Sequence, residues 1–149
     1  MKKLLLLSTF LATQIFAASS VVMYKSPSCG CCDSWAQHLK DNGFSDIKTV
    51  KTNEMLEVKN KFKVPLELSS CHTAVIDDYI FEGHVPAVDV KEFLELKPTN
   101  AIGLTVAGMP LGSPGMEQGG IVEDYDVLML KKDGTSEIFS SYMDGKRFK

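Results

Sequence analysis

The chain has 149 residues, a formal charge of −3 and 44% hydrophobic residues. That suffices for one domain with a core. It excludes a large multidomain enzyme by length, and the acidic balance argues against a nucleic-acid partner, which would call for a basic stripe.

Lys2 and Lys3 precede a nearly uncharged run from Leu4 to Phe16, followed by the small residues Ala17 and Ala18. A short positive stretch, an apolar stretch and a small-residue cleavage site make a secretory signal peptide. The run is too short to span a bilayer comfortably, and no cysteine closes it to carry a lipid. Residues 1–17 are therefore expected to be removed. The remaining 132 residues, 18–149, form a single domain, and the loss of two lysines takes the charge from −3 to −5. No later stretch is apolar enough for a membrane. The expectation is an exported, periplasmic protein with no membrane attachment after cleavage.

Val21 to Lys25 is a short β-branched run, expected as a buried strand. Ser26-Pro27-Ser28 breaks it, and from Cys31 a helical pattern places Cys32, Trp35, Ala36 and Leu39 on one face. His38 falls off that face and is expected to be exposed. Asn42-Gly43 ends the helix. Ile47 to Val50 reads as a second strand. Asn53 to about Lys63 reads as a second helix with Met55, Val58 and Phe62 on its apolar face. After a loop from Leu66 to Cys71, Thr73–Ile76 and Tyr79–Glu82 read as strands joined by an Asp77-Asp78 turn. Pro86 opens a third helix with Ala87, Val90, Phe93 and Leu94 inward. The order β-α-β-α-β-β-α, with a cysteine motif between the first strand and the first helix, resembles the thioredoxin fold, an α/β class.

Residues 98–120, rich in Gly and Pro and carrying Met109 and Met116, are expected as a long functional loop with both methionines exposed. Tyr125–Leu130 and Ser136–Tyr142 read as an added hairpin around Asp133-Gly134. Glu123-Asp124 and the tail Lys146 to Lys149 are expected to be solvated.

The four cysteines, Cys29, Cys31, Cys32 and Cys71, are the most informative feature. Export makes disulfides the plain explanation. Yet three of the four fall within Cys29-Gly30-Cys31-Cys32, and a stapling framework spreads its cysteines to close long loops. A helix N-terminus favours thiolate, which is both nucleophile and soft-metal ligand. Cys29 and Cys32 have the spacing of a redox dithiol. Cys31 is an extra thiol that would blur clean disulfide exchange and suits a metal site. In the expected fold, the starts and ends of the strands bring Cys71, His72 and His84 to the same edge. Three or four thiolates with one or two imidazoles suit Cu(I) or Zn(II). Bridging thiolates permit a multinuclear Cu(I) cluster, and thioether sulfur from Met109 and Met116 favours copper. His84, at a helix start facing the site, is the stronger histidine candidate. His72, Met109 and Met116 are candidates for direct or supporting roles, and each methionine has the alternative of plain packing.

Four motifs in order carry a resemblance: Ser28-Cys29-Gly30-Cys31-Cys32; Ser70-Cys71-His72-Thr73-Ala74-Val75; Glu82-Gly83-His84-Val85-Pro86-Ala87; and Gly108-Met109-Pro110-Leu111-Gly112-Ser113-Pro114-Gly115-Met116-Glu117. In these the chain resembles the CopG-type periplasmic copper-resistance proteins, from about Tyr24 to Glu117. The resemblance implies a thioredoxin-like fold binding copper through Cys29, Cys31, Cys32 and Cys71, with His84 as the histidine, and a role in survival of excess copper that includes changing its oxidation state. Partners would be copper ions and other periplasmic copper-handling or redox proteins. Two further readings stay open: a thiol–disulfide oxidoreductase using Cys29 and Cys32, and a zinc-stabilised or disulfide-stapled module.

Overall fold

A computed structural model describes residues 19–149, and the signal-peptide reading of residues 1–17 lies outside them. Strands β1 (Val21–Lys25), β2 (Ile47–Lys51), β3 (His72–Ile76), β4 (Tyr79–Glu82), β5 (Ala101–Thr105), β6 (Tyr125–Lys131), β7 (Ser136–Met143) and β8 (Lys146–Arg147) form one sheet in the order β2-β1-β3-β4-β5-β6-β7-β8. Helices α1 (Gly30–Asp41), α2 (Met55–Lys61) and α3 (Ala87–Leu96) supply the second kind of element, making a mixed α/β fold. The expected order β-α-β-α-β-β-α holds from Val21 to Leu96.

The two sheet faces are set by strand alternation. Val21, Met23 and Lys25 are buried while Val22 and Tyr24 are half-buried. The first set faces the apolar stripe of α1, where Cys32, Trp35, Ala36 and Leu39 are buried as their three- and four-residue spacing requires. Val90 and Phe93 of α3 join the same core, with Ala74, Ile76 and Phe81 from the central strands. On the opposite face Tyr24 meets Phe62 just beyond α2, ring centroids 5.6 Å apart. The apolar face expected on α2 is only half-buried. Its one fully buried residue is Lys59.

The expectation for residues 98–120 is corrected. Residues 98–120 are not one long loop, because β5 runs parallel to β4 inside that span. Its run Ala-Ile-Gly-Leu-Thr is short and glycine-interrupted, and it forms because α3 returns the chain to an open sheet edge. The C-terminal hairpin forms where expected, as an addition to the core. β6 pairs antiparallel with β5 and extends the same sheet. The tail, although exposed as expected, is also tied down. β8 pairs with β7, and Arg147 reaches the carboxylates of Asp89 and Glu92 on α3. Glu123 and Asp124 are exposed, as expected, and also accept hydrogen bonds from the Leu111 and Asp144 backbone N–H groups.

Candidate metal centre

α1 begins one residue after Cys29, which stands at its N-cap without a side-chain cap bond. Cys31 and Cys32 therefore lie in the first turn, where backbone N–H groups lack helical partners and the helix dipole favours negative charge. Cys71 immediately precedes β3, and His72 is the first residue of that strand. His84 follows β4 by two residues. Lys25 is register partner to His72, and Thr73 to Glu82, so the end of β1, the start of β3 and the end of β4 share one edge. The sheet order thus brings together residues far apart in sequence.

The sulfurs of Cys29, Cys31, Cys32 and Cys71 all lie within 4.8 Å of one another, and so do the ligand atoms of Cys71, His72 and His84. Cys71 belongs to both groups. Its Sγ lies 3.5 Å from Cys32 Sγ, 3.9 Å from Cys31 Sγ, 3.4 Å from His72 Nδ1 and 3.1 Å from His84 Nε2. Cys29 and Cys32 are joined as a disulfide, whereas Cys31 and Cys71 are free. Cys31 Sγ sits 3.5 Å from Cys29 Sγ, so a free thiol flanks each end of the disulfide. Counting all four cysteines together as thiolates holds only once that bond is reduced.

The histidines are held neutral and oriented. His84 Nδ1 is 2.8 Å from the carbonyl oxygen of Pro114. A carbonyl only accepts, so Nδ1 carries the proton and the Nε2 lone pair points at Cys71. Burial lowers the His84 pKa, more than the Pro114 bond restores it. His72 is fully buried, and burial, followed by the neighbouring His84 charge, holds its pKa well below the ordinary value. Its ring lies 4.5 Å from that of Trp35, and its Nε2 has no hydrogen-bond partner among the described residues. Neighbours on an extended chain alternate, and His72 would then turn away from Cys71. It does not, because Cys71 lies before the strand begins and is not bound to the alternation. Burial also pushes the Cys71 thiol up to about 12, with the Cys31 charge adding to the shift. Metal uptake would therefore displace a proton from this thiol.

The segment from Gly108 to Glu117 straps over the site. A Cβ on Gly115 would fall 2.7 Å from Trp35 N and 2.9 Å from Cys31 O, so the strap lies backbone against backbone on the first turn of α1, and its φ of +85° also favours glycine. This close approach carries the Pro114 carbonyl to His84. The two methionines part company. Met109 is 53% exposed, but Met116 is 8% exposed and packs inward, so the expectation that both are exposed is corrected. His38, expected to be merely exposed, is half-buried and accepts the Ala87 N–H at the start of α3 at 3.0 Å.

Sequence reasoning missed two ion pairs made by buried lysines at this edge. Lys25, 1% exposed, meets Asp33 of α1 at 2.6 Å. Lys59 meets Glu82 at 2.5 Å beneath the sheet. The available signal was Lys25 at an inward strand position, in phase with Val21 and Met23.

The arrangement supplies soft donors, oriented nitrogen lone pairs and an adjacent dithiol. That donor chemistry fits Cu(I) or Zn(II) and does not suit a hard cation. Among known proteins, residues 68–116 match the family described as "Protein of unknown function, DUF411". No curated protein sequence matches the chain. Two solved structures do. "Copper resistance protein copG, Form 2" is 38% identical with a TM-score of 0.79, over 84% of this chain and 98% of that one. Form 1 is 38% identical with a TM-score of 0.77, over 83% and 96%.

Proposed function

This chain belongs to the family of the CopG copper resistance protein, and from that premise we propose that it is an exported copper-binding protein that sequesters Cu(I) on clustered cysteine thiolates and contributes to copper resistance. The ligands in this reading are Cys29, Cys31, Cys32, Cys71 and His84, with His72, Met109 and Met116 in direct or supporting roles. One observation carries it: Cys71 stands within reach of three other sulfurs and two imidazole nitrogens. Thiolates packed this closely can bridge several Cu(I) ions.

The disulfide supports a change of copper oxidation state. Two Cu(II) ions take one electron each from the Cys29 and Cys32 thiolates. Two Cu(I) ions and one disulfide result, and charge balances. Returning the disulfide to two thiols needs two electrons and two protons, supplied by a dithiol reductase of the same compartment. The charged-then-apolar leader supports a periplasmic location, and the copper partners expected there are other copper-handling or redox proteins.

The test is anaerobic titration of the reduced protein with Cu(I) against Zn(II), with elemental stoichiometry, beside Cys31→Ser. Several Cu(I) per chain, lost in the variant, is the expected result. No preference for Cu(I) over Zn(II) would overturn the reading.

A second reading, thiol–disulfide exchange through Cys29 and Cys32, is favoured by the disulfide at the start of α1. Turnover of a disulfide substrate that survives both Cys31→Ser and Cys71→Ser would select it. Strong loss in either variant counts against it.

A further inference from the structure

Thr73 and His72 are neighbours in β3 and point to opposite faces. His72 lies against Trp35 on the α1 side, and Thr73 faces α2. Beneath the sheet on the α2 side, the carboxylate of Glu82 is completely buried. It receives Lys59 Nζ at 2.5 Å, Thr73 Oγ1 at 2.5 Å and the backbone N–H of Ser70 at 2.7 Å. Lys59 Nζ also reaches Thr73 Oγ1 at 3.4 Å.

A buried ion pair is weak evidence of a stabilising role, since well-packed apolar residues often serve stability as well or better. The position of these bonds says more. Ser70 immediately precedes Cys71, Thr73 immediately follows His72, and Glu82 stands two residues before His84. The carboxylate therefore joins the two chain segments that carry all three members of the Cys71–His72–His84 group. Gly83 lets them close together. A Cβ there would fall 2.5 Å from Ser70 Cβ and 2.7 Å from the Val106 carbonyl oxygen. Its N–H donates to the His72 carbonyl at 3.0 Å. The tie extends to the strap as well, since the Ser70 hydroxyl donates to the Gly108 carbonyl and the Gly108 N–H to the Ser69 carbonyl.

We infer that Glu82, held by Lys59, is a positioning residue for the metal centre: from the opposite face of the sheet it fixes the separation of Cys71 and His84 through the backbone of Ser70 and the short span of Gly83. It touches no candidate ligand atom. The inference rests on the copper-binding reading above. Glu82 does for two chain segments what hydrogen bonds behind a metal ligand do for one side chain.

The experiment compares wild type with Glu82→Gln, which keeps the side-chain shape and removes the charge. Circular dichroism checks the fold, competition with a Cu(I) chelator reads affinity, and X-ray absorption reads the sulfur-to-nitrogen ratio around copper. A folded Glu82→Gln protein is expected to bind Cu(I) about 10- to 100-fold more weakly, the range for losing a supporting partner, with fewer nitrogen ligands at copper. A folded variant with wild-type affinity and an unchanged nitrogen count overturns the inference. Should Glu82→Gln not fold, Thr73→Val carries the test. It removes one of the three bonds and is expected to weaken copper binding with secondary structure intact; unchanged affinity overturns the inference. A metal-free readout separates this inference from the copper reading. In reduced protein without metal, the alkylation rate of Cys71 relative to Cys31 should change several-fold in Glu82→Gln. If wild type takes up no copper, the copper reading fails, and an unchanged Cys71 rate then defeats the positioning role on its own terms.

Discussion

Two very different clusters sit along α3. At its start, beyond Pro86, lies the edge with Cys31, Cys71, His72 and His84. There the donor atoms face one another, and His72 keeps a buried nitrogen without a partner. At the second cluster, the C-terminal hairpin closes on α3. Buried Asp89 accepts the Tyr142 hydroxyl at 2.5 Å and Arg147 Nε at 3.0 Å, and Tyr142 stacks on Tyr125. In that second cluster every charge has a matching partner. The contrast teaches where function lies. Charged groups that hold the hairpin to α3 are paired, whereas groups meant for a ligand are aimed at a shared point and left short of partners.

The largest expected effect comes from the shared vertex. Cys71→Ser removes a donor common to both groups. It should weaken Cu(I) binding by more than about a hundredfold while costing only about 1 kcal/mol of stability, read by chelator competition and thermal melting. A variant that still binds copper tightly would make Cys71 a bystander. Asp89→Ala should do the opposite. It strands a buried tyrosine hydroxyl and leaves Arg147 with Glu92 alone, at a cost of about 2–3 kcal/mol, with copper affinity within about twofold of wild type, as for residues that share no partner. Lost copper binding in a folded Asp89→Ala protein would join the two clusters that we separate. Gly115→Ala forces the strap off α1 and withdraws the Pro114 carbonyl from His84. Copper affinity should fall about tenfold, and the His84 ring nitrogens should shift in NMR spectra of the metal-free protein.

Acid gives a smaller, graded effect. His38, His72 and His84 all have lowered pKa values, burial being the first cause in each. The unfolded chain takes up protons from about pH 6.5 downward, before the folded rings do. The stability that these rings contribute is therefore complete above that pH and is lost as pH falls towards their folded values. The melting temperature of the metal-free protein should fall as pH drops below about 6.5; a flat profile down to pH 5.5 would show that the rings are not buried neutral. The smallest expected change is in Met109→Leu. It should alter the rate of copper exchange and leave stability within about 0.5 kcal/mol, as for other exposed positions. Equal exchange rates would remove Met109 from the copper path.

The cysteine edge was legible in the sequence because its elements are strongly patterned. The run from Val21 to Lys25, the offsets of Cys32, Trp35 and Leu39, and the Asp77-Asp78 and Asp133-Gly134 turns all carry local signals. With the element order, these were enough to predict that Cys31, Cys71 and His84 share one edge. β5 was not legible, since five residues inside a Gly/Pro-rich span look like loop until a neighbouring edge strand offers hydrogen bonds. Nor were the partners of Glu82. Lys59 lies on a seven-residue helix whose apolar face is only half-buried, and nothing in its neighbours says that it passes under β3.

By itself, the sequence determined the donor chemistry: four thiols and two imidazoles at positions that a β-α-β-α-β-β order must bring to one edge. Spacing and periodicity are local properties, and they suffice for that. Only the tertiary structure decided which nitrogen of His84 faces Cys71, that His72 turns inward, that Met116 packs while Met109 stays exposed, and that one buried carboxylate ties the two ligand-bearing segments together. Each of these depends on which backbone or side chain lies across a gap of about 3 Å, the reach of a hydrogen bond, and such gaps are set by packing between elements remote in the chain.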